Sequence, residues 1–419
     1  MKAYELGHFE KALLFLTGLS MPLVRLRLEL PILSLSLYVF SILLLLLYNG
    51  GILAKSVAVQ KQEIPVYLFL IITLASTLSS EDIVYGIVRW TKLLLVIILY
   101  FGMKTLFTKK PGYVDAIMRV AVTTVPMYLM YLAWFYIGKY ELTYIAPTVE
   151  FPTRMGKNSL SFVVAFVMPF SIGSFFSNER GPKWGKFRLA VFMATLVGTI
   201  LIQSRAMYIL AVFYAFLHIV LNRVSWSYAK KALLLLVSLL TLVYLFAPTP
   251  LINTISTRFH SIGAIVTDDY VASEYSGVNS IDTRAKLISK GLSMFGKNPI
   301  LGTGMGSFMF YGGGKSPISH NDYILVLAEQ GMLGFIVFAS MIGYFVFLSY
   351  RNFKHKKDKQ NLSLFMAMSG LSMYLFFINA YDNVLLWTAM AMVTSSNTTT
   401  AEPNSCNADE YRHKGGSCP

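Results

Sequence analysis

The sequence predicts an all-α polytopic membrane protein with about twelve transmembrane helices and one large extramembrane loop containing an amphipathic helix. Three observations predict it. Of 419 residues, 55% are hydrophobic and only 14% are charged, where a soluble globular chain carries about a quarter charged residues. Mean hydropathy is +0.57. The basic residues fall in short loops that alternate along the chain, as threading through a bilayer requires. This composition excludes a soluble enzyme, a nucleic-acid-binding domain and a disordered protein. Lys+Arg outnumber Asp+Glu by 36 to 21, a formal charge of +15. In an apolar chain that excess marks cytoplasmic loops rather than nucleic acid.

A spanning helix needs about 20 mostly apolar residues. Stretches of that kind lie near 9–24, 31–49, 64–80, 83–107, 114–137, 159–177, 187–203, 206–221, 232–247, 323–350, 362–380 and 384–396. The first run lacks a small-residue cleavage site and is followed by further spans, so no cleavable signal peptide is expected. One set of loops holds Lys55 and Lys61, then Lys109 and Lys110, then Arg180, Lys183, Lys186 and Arg188. The same side receives Arg223, Lys230 and Lys231, and the run from Arg351 to Lys357. The positive-inside rule makes this side cytoplasmic, with both termini inside. The chain then divides into spans 1–9 over 1–247, a large outer loop over 248–322, spans 10–12 over 323–396 and a polar tail over 397–419. The tail is rich in Ser, Thr and Asn and is expected to be disordered. Cys406 and Cys418 both lie in it, so no disulfide staples the body of the fold. No internal repeat is evident.

Three parts of the large loop carry candidate chemistry. Leu287, Ile288, Gly291, Leu292 and Phe295 recur at helical spacing, with Asp282 as the expected N-cap. Arg284 shares their face, a poor place for an idle charge. Lys286 and Lys290 share the opposite face. An amphipathic helix lying on the bilayer, with its lysines at lipid phosphates, is the plain alternative. The second part, Asn298-Pro299-Ile300-Leu301-Gly302-Thr303-Gly304-Met305-Gly306-Ser307-Phe308, lacks the spacing and the flanking strand of a dinucleotide loop. It reads as a tight turn in which backbones approach closely. The third, Ser319-His320-Asn321-Asp322-Tyr323, opens a long apolar helix. Ser319 and Asp322 have capping-box spacing, which puts His320 in the first turn. The positive helix end disfavours imidazolium there, and a neutral imidazole suits a general base. A local hydrogen bond is the alternative reading of this histidine.

Two further charges converge on the same side. Arg205 stands between two apolar runs, and Asp382 stands between the last two spans. Charges at membrane depth usually face the bundle interior and serve function, and an Arg205–Asp382 structural pair is the alternative. Arg154 and Lys157, in the smaller outer loop at 138–158, are further candidates against a reading of plain loop residues. Arginine grips phosphate with a planar fork of donors, so two arginines suit a diphosphate. A histidine beside them can deprotonate an attacking hydroxyl. The combination points to group transfer from a lipid diphosphate. No carboxylate–histidine cluster marks a metal site, and no cofactor motif is present. A transporter or flippase is the rival class; related halves and midplane charges would mark it.

The order Asn298-Pro299-Ile300-Leu301-Gly302, Gly304, Gly306-Ser307-Phe308, Ser319-His320-Asn321-Asp322-Tyr323 and Ala328-Glu329-Gln330-Gly331-Met332-Leu333-Gly334-Phe335 resembles the conserved region of the O-antigen ligase and Wzy polymerase superfamily. Thr283-Arg284, Ser204-Arg205 and Asp382 ahead of Trp387 also fit that pattern. The resemblance covers roughly 190–390. It implies that His320, Arg205 and Arg284 are essential, with Asp382 in support; Arg154 and Asn321 are counted with Asp382 as substrate contacts. It further implies a bacterial inner-membrane enzyme with its site on the periplasmic face, independent of nucleotide and metal. In the ligase branch the donor is an undecaprenyl-diphosphate-linked glycan and the acceptor is lipid A–core. In the polymerase branch the acceptor is another lipid-linked repeat, and a third branch glycosylates protein. The ligase branch is the expectation taken forward, with membrane lipids as surroundings and no oligomeric state assigned.

Overall fold

A computed structural model describes residues 7–23, 27–29, 34–50, 63–140, 157–175, 182–202, 204–222, 276–311 and 319–398. Among them the helices are α1 (His8–Ser20), α2 (Leu37–Tyr48), α3 (Ile64–Thr77), α4 (Ile83–Lys109), α5 (Gly112–Tyr140) and α6 (Lys157–Phe175). They continue as α7 (Pro182–Ile202), α8 (Arg205–Asn222), α9 (Ser276–Lys297), α10 (Asp322–Lys356), α11 (Lys359–Tyr374) and α12 (Val384–Thr398). These helices fall on eleven of the twelve apolar stretches, plus the amphipathic segment of the large loop. The stretch at 232–247 lies outside the described residues. Four helices are long and apolar enough to cross a membrane: Ile83–Lys109, Gly112–Phe135, Asn158–Phe175 and Asp322–Lys356. Shorter apolar helices cover Leu37–Tyr48, Ile64–Thr77 and Arg205–Leu221. The described residues thus hold four spans by length, against the twelve expected. The all-α expectation also needs one amendment. Arg27–Glu29 and Ser34–Ser36 pair as a short antiparallel ribbon, with Leu28 opposite Leu35.

The centre of the molecule is α12. Residues 384–395 are buried all round, including Trp387, Met390 and Met392. A helix that is apolar on every side belongs inside a bundle. Helix α12 packs against α4, and α11 against α6 and α10. The outer faces of α4 and α8 carry exposed Val84, Val88, Leu95, Val212 and Phe216, as surfaces turned to lipid do. Helix α12 extends through the first two residues of the stretch read from the sequence as tail, 397 and 398. Helix α12 runs to Thr398 because Arg351 Nη2 donates to Asn397 Oδ1 (2.6 Å) and Lys356 Nζ to the Ser396 carbonyl (2.5 Å).

Helix α10 departs most from its sequence reading. The apolar run at 323–350 predicts one straight span. Instead Gly331 takes φ 67°, ψ −166° and divides the helix into arms at 322–330 and 332–356. The Tyr323 and Phe338 ring centroids lie 5.6 Å apart. A straight helix would separate those positions by about 22 Å, so the short arm folds back toward the long one. The reversal frees backbone groups, which must find partners when buried. The turn at 298–306 supplies them. Thr303 N–H donates to the Ala328 carbonyl (3.1 Å) and Gly304 N–H to that of Glu329 (2.9 Å). Met332 and Leu333 N–H donate back to the Pro299 and Ile300 carbonyls (2.8 and 3.3 Å). The glycine-rich stretch is therefore a tight turn with close backbone approach, as expected, and what it approaches is α10. A Cβ at Gly331 would stand 2.3 Å from the Ile300 oxygen, and one at Gly302 2.3 Å from the Glu329 carbonyl carbon.

Candidate functional site

The reversal decides where His320 stands. Asp322 N–H donates to the Leu375 carbonyl at the end of α11 (2.8 Å). Helix α11 has 16 residues, about 24 Å, while the 332–356 arm beside it is about 37 Å long. The start of α10 is accordingly recessed roughly 12 Å below the reversal, the length of the short arm itself. His320, beside that recessed start, is half-buried.

The local capping differs from the expectation. The N-cap is Asn321, whose Oδ1 accepts Ile324 N–H (3.1 Å). Ser319 instead closes a small turn, donating to the Asn321 carbonyl (2.7 Å) and accepting its N–H (3.2 Å). His320 therefore precedes the helix and is held at φ 52°, the left-handed region. Such a conformation in a non-glycine residue costs of order 1–3 kcal/mol and persists only where neighbours enforce it. Asp322 is fully buried and accepts Ala380 N–H (2.7 Å) and Asn379 Nδ2–H (3.4 Å). Its carboxylate ties the start of α10 to the 375–383 turn, rather than completing a capping box.

Arg284 lies on α9, which begins at Ser276, six residues before the N-cap expected at Asp282. Leu287, Gly291 and Met294 form the buried stripe of this helix, and Arg284 continues it. Leu292, expected on that face, is exposed. Gly291 packs on Ile324, so α9 brings Arg284 against the short arm of α10. Burial and the Arg284 charge together hold the His320 imidazole below its ordinary value. Burial also lowers the Arg284 pKa, opposed by Tyr374; a guanidinium stays charged regardless. The neutral imidazole thus has a cause in burial and a neighbouring cation, where the sequence pointed to the helix dipole.

Arg205 opens α8, next to the buried Ser204. Tyr374 bears electrostatically on Arg284. Tyr374 is the last residue of α11, next to Leu375, whose carbonyl takes the Asp322 N–H. Nothing in the sequence singled it out. Asp382 Oδ2 accepts from Lys92 Nζ at 2.7 Å, which is not the Arg205–Asp382 pair of the alternative structural reading. Arg154 lies outside the described residues. Lys290 Nζ stands 5.2 Å from the Phe308 ring centroid, and Lys297 Nζ stands 4.5 Å from that of Tyr311. Among the described residues no group of three or more His, Cys, Asp or Glu is placed to hold a metal.

Sequence reasoning also passed over Arg89 and Glu329. The Arg89 guanidinium donates to Glu329 Oε1 (3.3 Å) and to the Tyr381 hydroxyl (3.0 Å). A signal was present, since Arg89 and Lys92 are charges inside the apolar run at 83–107. The structure therefore brings Arg284 within electrostatic reach of His320, while Arg205 stands at the start of α8. Residues 190–339 match the model of a family described as O-antigen ligase. That stretch runs from α7 into α10 and contains Arg205, Arg284, His320 and Glu329; Tyr374, Asn379 and Asp382 lie beyond it. No curated protein matches the chain significantly.

Proposed function

We propose that this chain is a membrane glycosyltransferase of the O-antigen ligase type. It transfers an O-antigen glycan from undecaprenyl diphosphate to a sugar hydroxyl of lipid A–core, on the periplasmic face of the bacterial inner membrane. The observation that carries the reading is the meeting of Arg284 and His320. They come from different elements, α9 and the α10 start, and the arginine bears electrostatically on the imidazole. Arg205 and Arg284 hold the diphosphate and offset the negative charge that grows as it departs. His320, kept neutral, takes the proton of the acceptor hydroxyl. The acceptor oxygen bonds to the anomeric carbon as the bond from that carbon to the diphosphate oxygen breaks. Attack opposite the leaving group inverts the anomeric centre, and undecaprenyl diphosphate departs with the electron pair. The recessed position of His320 suits a donor whose phosphates sit at the bilayer boundary and whose tail lies in lipid. Asp382, Asn321 and Arg154 are the further proposed substrate contacts. The charges needed for the reaction come from the chain, so no metal is required.

The test is an assay of purified protein in detergent with undecaprenyl-diphosphate-linked glycan, a chelator throughout, and rough lipopolysaccharide added or omitted. Product that requires the lipopolysaccharide supports the ligase. Longer lipid-linked chains formed without it assign the site to a polymerase. Inhibition by the chelator counts against the arginine-based mechanism, and normal transfer by His320→Ala sinks the base assignment.

A further inference from the structure

The Arg89–Glu329 pair is among the buried charged groups to which the proposed reaction gives no role. Arg89 is largely buried in α4, and the Glu329 side chain is 1% exposed. A lone buried ion pair is weak grounds for stability, because desolvation offsets the attraction. What distinguishes this pair is the set of elements it ties together. The Glu329 carboxylate takes the guanidinium of Arg89 and the N–H of Phe308 (3.3 Å). The Glu329 carbonyl takes Ser76 Oγ–H (2.6 Å) from α3 and Gly304 N–H (2.9 Å) from the turn after α9. Glu329 thus fastens the reversal of α10 to α3, to α4 and to the segment that continues the Arg284 helix. The other edge of the guanidinium holds Tyr381. Two residues before Tyr381, Asn379 Oδ1 accepts the N–H of His320 (2.8 Å), and between them Ala380 N–H binds Asp322.

We propose that Arg89 and Glu329 are a positioning pair that fixes where His320 and Arg284 stand, so that transfer depends on them although neither touches the substrate. This rests on the transferase reading above. The pair acts at both ends of the short arm. Glu329 sets the reversal at one end, and Arg89, through Tyr381, sets the turn that grips His320 at the other. Loosening either lets His320 leave its left-handed conformation, and displacing a catalytic group by about 1 Å costs about 100-fold in rate.

The test uses the full chain in detergent carrying Arg89→Gln, Arg89→Lys, Glu329→Gln or both glutamines. Transfer is measured with undecaprenyl-diphosphate-linked glycan, and amide hydrogen exchange is followed without substrate. Each glutamine variant is expected to lower kcat about 100-fold while KM stays within about threefold. Arg89→Lys should recover part of the loss, and the double variant should be no worse than either single one. Exchange should accelerate at 302–308, 319–331 and 379–383 and stay unchanged at 384–395. Undiminished kcat in either glutamine variant overturns the proposal. So does acceleration that extends equally through 384–395, which assigns the pair to general stability. If the wild-type chain transfers no glycan, the function reading fails; the exchange pattern still decides whether the pair holds the 319–331 arm, and no change there overturns it.

Discussion

The backbone N–H of His320 donates to Oδ1 of Asn379 across 2.8 Å, joining the residue ahead of α10 to the turn ahead of α12. Asn379 also faces Asp322 and Ser319 through Nδ2, both at 3.4 Å. One amide side chain therefore helps hold a histidine in a conformation that side chains seldom adopt.

Asn379→Ala removes that acceptor and leaves the His320 N–H unpaired. A cost of about 1–3 kcal/mol is expected, with a loss of transfer larger than the loss of folded protein. Melting in detergent and initial rates measure the two separately. Asn379→Asp keeps the acceptor and should retain more transfer than the alanine variant.

Gly331→Ala should be strongly destabilising. The residue holds φ 67°, and a Cβ would stand 2.3 Å from the Ile300 oxygen and 2.5 Å from the Gly302 nitrogen. Those neighbours are backbone groups that cannot rotate away. A loss of about 3 kcal/mol or more is expected, read as a lower melting temperature. An unchanged melting temperature would show that the reversal does not form.

The pH dependence follows from the direction of the His320 shift. Burial and Arg284 favour the neutral imidazole, so its folded pKa lies below the ordinary 6.5. Transfer by a neutral base should persist below that value and fall only as pH drops through the depressed pKa. The same shift stabilises the fold above the ordinary value and loses that contribution as pH falls through the folded pKa. Arg284→Gln removes one cause and should move the titration upward. Diethyl pyrocarbonate labelling of the His320 peptide, followed by mass spectrometry across pH, reads this even in an inactive variant. A downward move would contradict the assignment.

The Lys92–Asp382 pair should matter little for stability. The Lys92 side chain is 61% exposed, and exposed pairs contribute about 0–1 kcal/mol. Lys92→Gln is expected to melt within a few degrees of the wild type. A larger drop would mean that Asp382 depends on this lysine for burial.

Much of the fold could be read from the sequence because helices in an apolar chain follow local rules. Composition and apolar run lengths located α4, α5 and α6, and the spacing of Leu287 and Gly291 located the buried face that Arg284 shares. His320, Arg205 and Arg284 were identifiable as charges or a polar ring in places where such groups rarely stand idle. What hydropathy could not give was the reversal at Gly331. The residues on either side are as apolar as those of a straight span, and the bend is held by the turn at 298–306, which supplies the missing hydrogen bonds. Likewise Asp382 was legible as a charge, while its partner Lys92 lies 290 positions away. Sequence by itself determined which segments are helical and which charges are anomalous, since those depend on side-chain chemistry and local period. Tertiary structure alone decided which anomalous charges meet, because that depends on how buried backbone and charged groups far apart in the chain satisfy one another.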